Sequence, residues 1–303
     1  MSSPALRLKS TADAQDTFDR LVAKAGVQAS ASPATKLAAL RELTAQQLEE
    51  FLDGPIGKPV FDPEWFVGLD PTRPIEHVDR FPSWLESLAI GQTKEEGALL
   101  LPIWAALKPE DLIGAAKMAI PDPQLADEIV EAYGITLAAG SSVVANFIEF
   151  FSDCLYGSVI PAIGDRDSPP VYVYRFDQKD VYENSPFHGW AFHSLDNAFF
   201  TQFPAVAGPA APASMQATSK AMSQAVVDLV HGSPPWEAYQ TAHRVMAFDG
   251  ENTGSIDVPD RWTRFSSTAQ REEAYRMAGE RVLEYALQFA AQFALMGQAS
   301  PSS

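Results

Sequence analysis

Val171-Tyr172-Val173-Tyr174-Arg175-Phe176 follows a proline pair, Pro169-Pro170, and is built almost entirely of β-branched and aromatic residues. Such a run packs well on a pleated, half-buried surface and loses rotamer freedom in a helix, so it predicts a strand. Few other segments share its character. Glu86-Ser87-Leu88-Ala89-Ile90-Gly91 predicts a short strand stopped by its glycine, while Val245–Phe248 and Ser255–Val258 flank the turn-rich DGENTG and predict a hairpin. With so few strands among so many helical signals, the expected class is α/β: a reduced mixed sheet, centred on Leu88–Gly91, Val171–Phe176 and Val245–Phe248, covered by helices.

The helical signals begin near the N-terminus. Ser10 to Ala25 puts Phe18, Leu21 and Val22 on one face and stops at Gly26. Ser32-Pro33 opens a second helix with proline at its first position, and Thr44 with Gln47 three residues on has capping-box spacing for a third. Gly54 to Pro82 holds six prolines, which forbids a long helix and predicts an irregular loop. Helices are predicted again over Pro109–Ile120, Pro123–Tyr133, Ser141–Tyr156 and Ser214–Val230. A long apolar helix is expected over Glu273–Met296, with Glu280, Glu284, Gln288 and Gln292 as its polar stripe. The chain reads as one domain over 1–303, helical and looped over 1–82, with the chemistry-bearing part over 83–303.

Charge and cysteine usage narrow the function. A formal net charge of −17 disfavours nucleic acid or an anionic membrane as a partner, because both are negative. The single cysteine, Cys154, permits no intrachain disulfide and is read as a packing residue. Neither a signal peptide nor a membrane-spanning run is visible, so a cytoplasmic location is expected. The five histidines form no H-x-x-x-H pair, and no phosphate loop or calcium loop is written, so neither metal nor cofactor is expected. The nucleophile elbow G-x-S-x-G is absent as well, and so is any Gly-Gly pair for an oxyanion loop.

Two ordered patterns carry chemistry. Gly91-Gln92-Thr93-Lys94-Glu95-Glu96-Gly97 ends the first predicted strand. Gly189-Trp190-Ala191-Phe192-His193-Ser194-Leu195-Asp196 follows the strand at Val171–Phe176 and precedes a helix, the run Gly232-Ser233-Pro234-Pro235-Trp236 and a hairpin containing Phe248. This order resembles the C-terminal half of the type B carboxylesterase/lipase family, the cholinesterase-like α/β-hydrolases, over about Ser2 to Trp262. The resemblance implies Glu96 as the catalytic acid and His193 as the base, 97 residues apart in the chain. Without it, Glu95 and Glu96 read as solvated carboxylates capping a helix near Gly97, and His193 as a packed core histidine. His188 does not fit the spacing, and Asp196 is read as structural, bonding backbone near the histidine loop. Trp65-Phe66 reads as core.

The resemblance also implies what is lacking. The chain is expected to be a truncated product holding two members of a triad without the serine, inactive alone as an esterase, with a small-molecule ester as the family substrate. Two other readings stay open: a binding protein that self-associates through an open sheet edge beside Leu88–Ile90, and a metabolite isomerase or cyclase using His193 and Glu96 for proton transfer.

Overall fold

The computed structural model describes residues 10–51, 60–64, 81–157, 159–164 and 169–258. The expected helix over Glu273–Met296, most of the proline-rich loop, Trp65-Phe66 and His77 lie outside these residues. The chain divides into two compact units, one over Leu6–Arg80 and one over Phe81–Ser303 with Met1–Ala5.

In the smaller unit, three helices start where their caps dictate. Helix α1 (Thr11–Lys24) is capped by Ser10, whose hydroxyl accepts the Asp13 N–H at 3.0 Å. Helix α2 (Pro33–Arg41) begins with proline after Ser32, whose hydroxyl accepts from Thr35 N–H at 3.2 Å. Helix α3 (Ala45–Phe51) carries a full capping box. Gln47 N–H donates to the Thr44 hydroxyl at 3.2 Å, and Thr44 N–H donates to the Gln47 side chain at 2.9 Å. Lys24 closes the arrangement by donating from Nζ to the Phe51 carbonyl at 2.8 Å.

The larger unit is organised by a four-stranded sheet of β1 (Leu88–Thr93), β2 (Val171–Phe176), β3 (Arg244–Phe248) and β4 (Gly254–Asp257), in that spatial order. β1 pairs parallel with β2 from Leu88↔Val171 to Thr93↔Phe176, β2 pairs parallel with β3, and β3 turns back antiparallel onto β4. Among the described residues β1 pairs only with β2. The first strand differs from expectation: Gly91 lies inside it rather than ending it. The reason lies on the neighbouring strand. A Cβ on Gly91 would collide with the ring and carbonyl of Tyr174, so glycine is what lets the aromatic side chain cross over β1.

Helices fill the crossovers that parallel strands require. Between β1 and β2 come α4 (Pro109–Ala119), α5 (Pro123–Ala132) and α6 (Val143–Ser152). Their apolar faces form a core around Trp104, Leu112, Ile129, Phe147 and Phe150, with Trp104 and Phe147 packed edge to face at 5.0 Å. Trp104 also donates from Nε1 to the Gly97 carbonyl at 3.0 Å, which ties this core to the turn after β1.

The segment expected as one helix over Ser141–Tyr156 is broken at both ends. Gly140, at φ 56°, separates a preceding 3-10 turn, and after Ser152 the chain widens into a π turn over Asp153–Gly157. Asp153 is buried there and accepts the Tyr133 hydroxyl at 2.9 Å. Between β2 and β3 come α7 (Leu195–Phe200) and α8 (Ala213–Val230). With the sheet they enclose Tyr174, Phe176, Phe199, Met215, Met222 and Phe248.

No single helix among the described residues is long and apolar enough to cross a membrane. The bent pair Pro123–Ala132 and Leu137–Ser152 passes on length and composition only, and its apolar residues Ile129, Val130, Phe147 and Phe150 are buried in the helical core.

Candidate active site

Parallel strands bring their carboxyl ends to one edge of a sheet, and loops leaving that edge commonly hold functional groups. Glu96 follows the end of β1 and starts a 3-10 turn over Glu96–Leu100. One carboxylate oxygen, Oε1, accepts the Thr93 N–H at 2.7 Å, so the strand end fixes the side chain. The other, Oε2, lies 2.6 Å from Nδ1 of His193, which comes from the loop after β2. The fold therefore joins two side chains separated by 97 positions in sequence.

The tautomer follows from this contact. Glu96 offers only acceptor oxygens, so Nδ1 carries the proton and Nε2 of the neutral ring presents a lone pair. The Glu96 side chain is fully buried, whereas 27% of the His193 side chain is exposed. Burial by itself pushes the imidazole pKa down. The hydrogen bond to Glu96, the Glu96 charge and the Asp196 charge outweigh it and hold the pKa above the ordinary 6.5.

Three further residues shape the site. Tyr156, on the π turn, stacks on the His193 ring with centroids 5.3 Å apart and planes at 28°. Asp196 is fully buried and accepts the Tyr174 hydroxyl at 3.0 Å, so the sheet anchors the charge that supports the imidazolium. Glu95 is no solvated cap: its Oε2 accepts the Ala191 N–H at 2.8 Å. Ser194, directly after the histidine, sits in the left-handed region at φ 67° and occupies the N-cap position before α7.

The other candidates lie apart from this pair. His188 is exposed in the loop, and Cys154 is buried in the helical core. Among the described residues, no group of three or more His, Cys, Asp or Glu side chains is placed to hold a metal. Sequence reasoning had no signal for Tyr156, because the π turn that aims it is not written in local periodicity. Glu95 had one, its place beside Glu96 in the Gly91–Gly97 segment.

A partial α/β-hydrolase fold is the class that this sheet and its covering helices define. A solved structure with that architecture is the carboxylesterase EST55 of Geobacillus stearothermophilus, crystallised at pH 6.2, which matches with a TM-score of 0.64 and 20% sequence identity. The match covers 87% of this chain and 57% of the esterase, so this chain spans little more than half of that neighbour's length. No family model matches the sequence, and no curated protein matches it either.

Proposed function

We propose that the chain carries the acid–base part of a serine ester hydrolase site, with Glu96 as the orienting acid and His193 as the base. The observation that supports this most is the 2.6 Å Nδ1···Oε2 hydrogen bond, which leaves the Nε2 lone pair of the neutral ring available to a reacting group. In ester hydrolysis a base of this kind takes the proton of the attacking hydroxyl and returns it to the leaving alcohol. The acid fixes the tautomer and favours the imidazolium formed on the way. The structural neighbour is named a carboxylesterase, which supports a small-molecule ester as the substrate class.

The nucleophile is the missing part of this reading. No serine in the sequence sits in G-x-S-x-G, and among the described residues no hydroxyl hydrogen-bonds to His193. A base without a hydroxyl to activate does not cleave esters by the covalent route, so the chain alone is expected to be inactive as an esterase.

Adding a small alcohol as a substitute nucleophile tests both parts. With p-nitrophenyl butyrate and no alcohol, release of p-nitrophenol should stay at background. With methanol present, His193 should take the methanol proton as its oxygen attacks the carbonyl, giving methyl butyrate and p-nitrophenol. Methanol-dependent release that is unchanged in His193→Ala would overturn the assignment of the base. Alcohol-free turnover abolished by His193→Ala would overturn the expected inactivity of the chain alone.

A further inference from the structure

We propose that Glu95 is a positioning residue whose carboxylate clamps the histidine-bearing loop to the end of β1 and thereby sets the separation of Glu96 and His193. This rests on the reading of Glu96 and His193 as a working pair. The loop leaves β2 after Phe176 and runs through 177–192 before it delivers His193. A segment of that length samples many end positions unless something beside Glu96 holds it, and a 2.6 Å contact tolerates little drift.

Glu95 provides the hold from both its backbone and its side chain. Its N–H donates to the Ala191 carbonyl at 3.0 Å, and its Oε2 accepts the Ala191 N–H at 2.8 Å. The two hydrogen bonds hold both backbone groups of one residue, Ala191, and Glu95 forms a parallel bridge with Phe192, next to His193. Ala191 is fully buried, so water does not substitute for either bond. The loop is braced internally as well. Gly189 N–H donates to the Asp180 carbonyl at 2.7 Å, and Asp180 N–H donates to the Trp190 carbonyl at 2.9 Å. Braced in this way, the loop moves as a piece, and Glu95 decides where its end comes to rest.

The alternative role, a charge on the surface, fits the geometry poorly. The Glu95 side chain is only 16% exposed, and the Lys94 ammonium stands at 3.8 Å, a long contact for an ion pair. Adjacent glutamates thus have separate tasks: Glu96 meets the imidazole, and Glu95 holds the backbone that carries it.

The test compares Glu95→Ala with Glu95→Gln in the whole chain. Glutamine keeps a carbonyl oxygen for the Ala191 N–H, whereas alanine removes the acceptor. The readout is the Nδ1–H proton of His193 in histidine-labelled protein, observable by NMR when that proton is held in a short hydrogen bond. Wild type and Glu95→Gln should both show the resonance, and Glu95→Ala should lose it. Retention in Glu95→Ala, or loss in Glu95→Gln, overturns the clamp. If Glu95→Ala fails to fold, hydrogen exchange in wild type decides. The Ala191 amide should exchange at least about tenfold more slowly than the exposed loop amides of Glu183 and Asn184, and equal rates overturn the proposal. No resonance in wild type would instead break the Glu96–His193 pair itself, and the clamp with it. Alcohol-dependent ester cleavage reads the proposed function separately.

Discussion

Replacing Glu96 by glutamine should invert the histidine's tautomer and make the cost of the change depend on pH. Glu96 accepts two hydrogen bonds, from Thr93 N–H at 2.7 Å and from His193 Nδ1 at 2.6 Å, one on each oxygen. Glutamine has one acceptor oxygen. The Thr93 N–H is fixed by the backbone of β1, so the amide oxygen goes there and the NH2 group faces Nδ1. A neutral ring adapts by moving its proton to Nε2, which removes the lone pair a base needs. A protonated ring cannot adapt, because it meets the NH2 group with an N–H.

The sign follows from the wild-type pKa, which is raised above 6.5 in the folded state. Protonation of His193 therefore stabilises the wild type fully below the unfolded value, and this contribution is lost as pH rises through the raised folded value. In the glutamine variant both effects of Glu96 are gone while burial, larger than the remaining effect of the Asp196 charge, persists, so the folded pKa falls and the dependence reverses. At about pH 5.5 the variant loses a charge-assisted hydrogen bond, about 1.5–3 kcal/mol, and at about pH 8.5 the loss is nearer 1 kcal/mol. Urea unfolding of both proteins at the two pH values measures the difference. A penalty equal at both, or larger at the higher pH, would refute the reasoning.

Other substitutions probe the scaffold. Phe147→Ala empties a fully buried position between Trp104 and Phe150 and should cost about 3–5 kcal/mol in urea unfolding. Ser194→Gly should stabilise by about 0.5–1 kcal/mol, read as a higher urea midpoint, because glycine accepts the left-handed backbone at φ 67° without the Cβ penalty. Thr44→Ala removes the hydroxyl that accepts from Gln47 N–H and should destabilise α3 by about 1 kcal/mol, seen as faster amide exchange in its first turn.

Local patterns in the sequence determined the parts of this protein that depend on near neighbours. Ser10, Ser32 and Thr44 cap helices where their residue types predict, because capping is decided within three residues. The strand at Val171–Phe176 and the hairpin at Arg244–Asp257 are written in β-branched and aromatic runs and a turn between them. Glu96 and His193 were legible as a spaced pattern, which named the residues without supplying their contact.

Tertiary structure decided what depends on segments far apart in the chain. Gly91 read locally as a stop, yet Tyr174 on the neighbouring strand makes it an interior position of β1. Tyr156 stacks on the imidazole from a π turn, and Asp196 accepts a hydroxyl of the sheet. Glu95 and Glu96 are chemically identical neighbours in the chain. Their different tasks arise because one carboxylate meets a buried backbone amide and the other a histidine ring.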